Sequence, residues 1–361
     1  MKRINWQVAR GALIPAIGIL LGLGAGAAER AAISEEDVDS APPSAWNGTP
    51  TVAATREGLA AAWCAGSGPG EVDTGIWFAR RGKGGWTVDG EIANGLNKWG
   101  DARTPCSDPV LFTDFLGKLY LFYHVGRRPS EIRAYLRVSP TAGRGWLQER
   151  RLPAGALGAT RNPPLFLGDG TLVCAAETRS AGRRVRVEWA DKSLKFWERT
   201  GPLNRAFVMP CLSPVVLQPA IDAFAMLAVA PEPYNRLVLI RAKKGFRKWD
   251  RPRRLALAVE GTPIAAVRLR DRRFLLAYNP EGKRNVIRLA VSEDLEHWTP
   301  AGEAASAPQG ELLEPALAQD SDEKVHLLFN WNGKKIRHVV LDPEKIQPAA
   351  SRGRGNASAR R

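Results

Sequence analysis

A six-bladed β-propeller, all-β throughout, is the fold this sequence predicts, and three observations predict it. A residue-plus-proline pair recurs six times, as Thr49-Pro50, Asp108-Pro109, Asn162-Pro163, Ser213-Pro214, Thr262-Pro263 and Glu314-Pro315. The prolines stand 59, 54, 51, 49 and 52 residues apart. A tryptophan series runs in phase with them: Trp86, Trp146, Trp197, Trp249 and Trp298 each close one of the first five units. Between the two markers lie short runs of β-formers, with no convincing amphipathic helix after residue 30. Self-similarity at a period near 50 residues, with several short strands per period, is the signature of propeller blades.

Each element follows from local chemistry. Proline is tolerated at the first residue of a strand, where its missing N–H does least harm, so each X-Pro pair marks the start of an innermost strand. Residues 119–125, 172–176, 237–240, 274–278 and 325–330 read as the strands that follow, punctuated by turn formers such as Gly168-Asp169-Gly170 and Asn332-Gly333. The segment from Ser139 to Trp146 resembles the Asp-box pattern S-x-D-x-G-x-T-W, with Thr141 where Asp is usual. Ser292 to Trp298 keeps Ser and Asp in a shorter version, and 192–197, 244–249 and 80–86 are weaker copies. Such a segment is a hairpin turn whose polar side chains bond its own backbone. Its Trp is expected between neighbouring blades rather than as a sugar platform. The sixth unit is short and has no closing turn. It needs a strand from elsewhere, with residues around Trp46 or the segment after Ile336 as candidates.

Charge points first to a nucleic-acid partner and then away from it. The chain of 361 residues carries a net +15. Three of those charges (Lys2, Arg3 and Arg10) precede an uncharged stretch over 11–28 that ends in the small-residue pattern Ala25-Gly26-Ala27. Residues 1–27 therefore read as an export signal, with a membrane anchor as the alternative. Export makes the protein periplasmic or secreted. Four more charges (Arg352, Arg354, Arg360 and Arg361) belong to a tail over 347–361 that has no large apolar residue after 350 and reads as disordered. The propeller spans 45–346, and +8 remains once signal and tail are set aside. The aromatics are periodic rather than interleaved with basic residues, so no nucleic-acid partner is expected. Association with a membrane surface through either terminus is.

Several ordered stretches over about 60–345 are similar to the sialidase-like BNR/Asp-box repeat family. Leu121-Phe122-Tyr123-His124-Val125-Gly126 resembles its LFYKVG segment. The segment from Leu152 to Pro164 resembles its LPDGILGPIKNKP segment. Residues 325–331, with Ile336 to Pro343, resemble VHITYTW…IKHVVLDP. The resemblance implies a six-bladed propeller and an exo-glycosidase acting on a terminal acidic sugar. Such enzymes hold the substrate carboxylate with an arginine cluster and use a tyrosine nucleophile, a glutamate and an aspartic acid/base. Departures are visible: Ala265 stands where the family has Asp, and Leu312 and Glu314 stand where it has tyrosines.

Residues beside the X-Pro pairs are the natural lining of a central funnel. Asp108 and Glu314 are the two carboxylates of that ring and the first catalytic candidates. Tyr278 matches a family tyrosine, and His124 is a candidate acid/base near neutral pH. The candidate substrate-binding residues are Arg161, Asn162, Glu71, Asp73 and Glu177. Arg161 is the side chain whose fork fits a carboxylate. Glu71, Asp73 and Glu177 match family acids. Each has a plainer alternative, in turns for the polar residues and in packing for Tyr278. Only four histidines are present, without metal spacing, and neither metal nor cofactor is expected. Cys64, Cys106, Cys174 and Cys211 fall in four successive units, and spacing leaves three pairings open. The expected ligand is an acidic glycan or polysaccharide. The alternatives to hydrolysis are a non-catalytic propeller that binds such a glycan or envelope polymer, and a scaffold for a protein partner.

Overall fold

A computed structural model describes residues 31–348 apart from 43, 98 and 181. The export segment and the basic tail lie outside the described residues. Within them the chain is all-β, with no helix among the described residues, and its strands form six sheets arranged as a six-bladed propeller.

Strand β1 (Ala32–Asp37) comes first and belongs to the last blade. Blade one is β2 (Trp46–Thr55), β3 (Gly58–Gly66), β4 (Gly75–Gly82) and β5 (Gly85–Ala93). Blade two is β6 (Cys106–Thr113), β7 (Leu119–Val125), β8 (Arg133–Ser139) and β9 (Arg150–Arg151). Blade three is β10 (Leu165–Phe166), β11 (Leu172–Thr178), β12 (Arg184–Ala190) and β13 (Trp197–Arg199). Blade four is β14 (Leu212–Ala220), β15 (Ala223–Ala230), β16 (Arg236–Lys244), β17 (Lys248–Trp249) and β18 (Arg253–Ala258), the last also paired to β16. Blade five is β19 (Ala265–Arg268), β20 (Phe274–Tyr278), β21 (Val286–Ser292) and β22 (Thr299–Ser306). Blade six is β23 (Leu312–Gln319), β24 (Val325–Trp331) and β25 (Lys335–Leu341), with β1 as its outermost strand.

The second strands are mostly apolar because blades cover both of their faces. β7, β15, β20 and β24 are buried almost end to end, whereas β5 and β22 alternate and face solvent. The tryptophans seal the seams between blades. Trp146 of blade two meets Phe78 of blade one edge-on at 5.2 Å, and Trp197 of blade three meets Phe122 of blade two at 6.0 Å. Trp86 of blade one meets His338 of blade six at 5.3 Å. Edge-to-face contacts of this kind add to the area they bury. The turns before these tryptophans are bonded as expected. Ser139 Oγ accepts from the Gly143 N–H (2.8 Å), and Asp294 Oδ1 accepts from the N–H groups of Glu296 and His297 (both 2.8 Å).

Two expectations change. The closing strand is Ala32–Asp37, which pairs antiparallel with β25. It lies ahead of both candidate segments, and the ring takes in residues before 45. Trp46 instead opens the innermost strand of blade one, and the segment from Ile336 lies in β25. The X-Pro pairs also do not all start a strand. In blades one, two, four and six the pair sits inside the innermost strand at a break in register. In blades three and five it precedes the strand. All four cysteines are buried free thiols.

Candidate functional site

The register breaks build the site. Thr49, Asp108, Ser213 and Glu314 all have φ between 50° and 60°, in the left-handed region, and Arg161 of blade three has 70°. Non-glycine residues there cost on the order of 1–3 kcal/mol each and persist only where the surroundings fix them. A bulge of this kind leaves one residue unpaired and turns its side chain out of the strand's alternation. In blades one, two and six that residue lines a shared cavity, whereas Ser213 is buried with its hydroxyl donating to the Ile264 carbonyl (3.0 Å). Two carboxylates bond the freed amides across blade boundaries. Glu314 of blade six accepts from the Thr49 N–H of blade one (2.6 Å), and Glu177 of blade three accepts from the Ser213 N–H of blade four (3.0 Å).

Thr49, Asp108, Arg161 and Glu314 thus reach a cavity of about 860 Å³ that also takes in His124 and Glu177. Seven arginines line it: Arg127, Arg133, Arg151, Arg161, Arg179, Arg183 and Arg186. They face only three carboxylates. Arg161 Nη2 lies 3.4 Å from Glu314 Oε1, and Asn330 Nδ2 donates to Glu314 Oε2 (3.3 Å). Arg179 Nε and Arg183 Nη1 donate to Glu177 Oε1 at 3.1 and 2.9 Å. Arg179 also comes within 4.0 Å of Asp108. Arg127, Arg133 and Arg151 are exposed, with no carboxylate partner among the described residues.

His124 adds a titratable group to this lining. Its Nε2 faces the Leu157 carbonyl at 3.0 Å, an acceptor only, so Nε2 carries a proton. Its Nδ1 faces Asp108 Oδ2 at 3.5 Å, where only a second proton makes the contact favourable. Burial opposes that charge, but Asp108 and then the Leu157 carbonyl override it and raise the imidazole pKa. Burial likewise opposes ionisation of Asp108, yet His124, Arg179 and Arg161 hold it well below the usual carboxylate range. Asp108 is therefore a fixed anion and a poor proton donor at neutral pH.

Glu188 is fully buried and braces part of the cavity's lining. It accepts from the N–H groups of Leu157 (2.8 Å) and Gly158 (2.9 Å) and from Arg186 Nε (2.8 Å). It thereby positions the loop over 152–161 that supplies Leu157 and Arg161.

The remaining sequence candidates lie elsewhere. Tyr278 is 2% exposed and packs in the apolar seam between blades four and five, because its strand is covered on both faces. Asn162 is buried beneath the cavity, where its amide donates to Ile264 O (3.1 Å) and Pro214 O (3.3 Å). Asp73 accepts from Ser67 N–H (3.0 Å) and Oγ (2.8 Å), bracing its own loop, and neither it nor the exposed Glu71 lines the cavity. None of the five tyrosines lines it either. A Tyr–Glu pair exists nearby: Tyr123 donates to Glu149 in an adjoining cavity of about 490 Å³ between blades one and two. Burial and Glu149 push the Tyr123 phenol upward, away from nucleophilic use. No group of three or more His, Cys, Asp or Glu among the described residues is arranged to hold a metal. Sequence reasoning missed Arg127, Arg133, Arg151, Arg179, Arg183 and Arg186. The usable signal was position: they lie on turns and strand ends that return to the face where the X-Pro pairs begin.

Fold and funnel together define a sialidase-like propeller with a cationic centre. The chain belongs to the family of BNR repeat-like domains, whose model matches residues 57–327. No curated protein matches it. Among solved structures it is similar to a Dyadobacter fermentans protein of unknown function, at 15% identity and TM-score 0.69, covering 86% of this chain and 98% of that one. It is similar to a Hadza microbial sialidase at 15% identity and TM-score 0.68, covering 84% of this chain and 67% of that one. The NanB sialidase of Streptococcus pneumoniae is matched at 10% identity and TM-score 0.66, covering 84% and 69%. At these identities the likeness is one of fold.

Proposed function

We infer that the protein is a glycan-active propeller whose funnel binds the acidic group of a terminal sugar. The observation that carries this reading is the excess of seven arginines over three carboxylates in the lining of one cavity. A planar guanidinium matches a carboxylate with two parallel hydrogen bonds, and a recessed wall strengthens each of them. Arg179 and Arg183 keep about half of their side-chain surface exposed, so their remaining N–H groups are open to a ligand. The export pattern over 1–28 supports action outside the cytoplasm.

Recognition of the acidic group is the part of this activity that the arginine lining bears on most directly. Hydrolysis by the tyrosine route lacks its tyrosine there, and both oxygens of Glu314 and Glu177 are already bonded. The test is titration of the full chain with a panel of acidic monosaccharides, run beside turnover of a fluorogenic sialoside and other acidic glycosides. Binding is expected in the wild type, with turnover no greater than that of an Arg161→Ala, Glu314→Ala double variant. Turnover well above that variant would restore the exo-glycosidase reading with Glu314 at its centre. Absence of both binding and turnover would leave a protein-binding scaffold.

A further inference from the structure

A strip of basic and aromatic side chains leaves the funnel and crosses blades three and four. It begins at Arg179 and Arg183, on the turn between β11 and β12. The loop over 201–211 that leads into blade four is pinned to this turn. Asn204 Nδ2 and the Cys211 N–H both donate to the Arg183 carbonyl, at 3.0 and 3.3 Å. On that loop stand Arg205, which is exposed, Phe207, which is 90% exposed, and Val208, which is 60% exposed. Farther out, Tyr234 Oη donates to the Val208 carbonyl (2.6 Å), and the Arg254 guanidinium lies over the Tyr234 ring at 4.7 Å. Arg205 and Arg254 have no carboxylate partner among the described residues.

Phe207, at 90% exposure beside the exposed Val208, buries almost nothing against the fold. For a sugar chain the same arrangement is apt. The apolar face of a pyranose packs on an aromatic ring, and a carboxylate on each unit meets a guanidinium fork. We propose that the ligand is an extended acidic polysaccharide, with its end in the funnel and the following units on Arg205, Phe207 and Arg254. This rests on the funnel reading above and adds to it a chain length and a direction. Each further unit engaged is an intramolecular event once the end is seated, so affinity grows with length until the strip is filled.

The experiment is calorimetric titration of the full chain with two size-fractionated series, oligosialic and oligogalacturonic acids of one to six residues. It is repeated on an Arg205→Ala, Phe207→Ala, Arg254→Ala triple variant. All three residues are exposed, and an unchanged melting temperature confirms folding. In at least one series, wild-type affinity is expected to rise about tenfold from one unit to four. The variant is expected to bind the single sugar as the wild type does and to lose that rise. Length-independent affinity in the wild type, or a rise that survives in the variant, overturns the proposal. So does binding to vesicles of anionic phospholipid that the variant loses while glycan affinity stays flat with length, because the strip then serves a lipid surface. The single-sugar titration reports on the funnel alone. Failure there, at every length and in both series, removes the funnel reading as well.

Discussion

Arg161 concentrates the chemistry of the site in one side chain. It sits in the left-handed region beside a buried asparagine, with its guanidinium between Glu314 and the open cavity. Arg161→Ala should weaken binding of an acidic monosaccharide by about 1.5–3 kcal/mol, the range for a charge-assisted hydrogen bond, as read by calorimetry. His124 gives the site a pH dependence of definite sign. Its folded pKa is raised above 6.5, so its positive charge is complete below that pH and is lost as pH rises through the raised value. Affinity for an acidic sugar should therefore fall as pH rises through that raised value, and a His124→Gln variant should show a flatter profile. Asp108, His124, Arg161, Glu177 and Glu314 were legible because each lies within a residue or two of a repeat marker or in a family segment. Tyr278 misled because residue type alone does not tell a strand's buried face from a funnel-facing one. Asp73 instead braces its own glycine-rich loop, and the exposed Glu71 beside it lies outside the cavity lining.

Ring closure decides most at the level of elements. The sequence Ala-Ile-Ser-Glu-Glu-Asp of β1 reads as loop, being short and acidic, and was not recognisable as a strand. Its acids make sense only beside their partners: Glu36 with Arg81 at 2.6 Å, Glu35 with Arg337 at 2.8 Å and Asp37 with Lys335 at 2.6 Å. A chain beginning at residue 39 leaves β25 as an open edge. It should melt at least ~5 °C lower and associate during size-exclusion chromatography. A histidine pair lies behind the same strand. Asp320 accepts from His326 Nε2 (2.9 Å), so His338 Nε2 donates to His326 Nδ1 (3.0 Å), and His338 Nδ1 accepts from the Trp86 N–H of blade one (3.2 Å). That chain is complete only when both rings are neutral. Burial and the neighbouring His326 hold His338 down at about 4 despite Glu36, which lies 3.1 Å away and is itself paired to Arg81. The unfolded histidine protonates near 6.5, so stability is full above that pH and lost as pH falls toward 4. The melting temperature should drop over that interval, and less steeply in a His338→Phe variant.

At the scale of the molecule, six repeated X-Pro pairs and five tryptophans were enough to read the architecture, because a ring needs every blade to solve the same packing problem. What they could not convey is the three-dimensional meeting of distant segments. Arg127, Arg151, Arg179 and Arg186 come from blades two and three at separations no local pattern links. Net charge shows the same gap. The +15 of the whole chain says little, whereas seven arginines in the lining of one cavity are what the proposal of an acidic ligand rests on. Esterification isolates that claim, since a methyl ester removes the ligand's charge and leaves its shape nearly intact. The measurement is the affinity of the full chain for acidic monosaccharides and for their methyl esters under identical salt. Tight binding of an acid with at least tenfold weaker binding of its ester is the expected result. Equal affinity for acid and ester would contradict the account, because the arginines would then have no part in recognition.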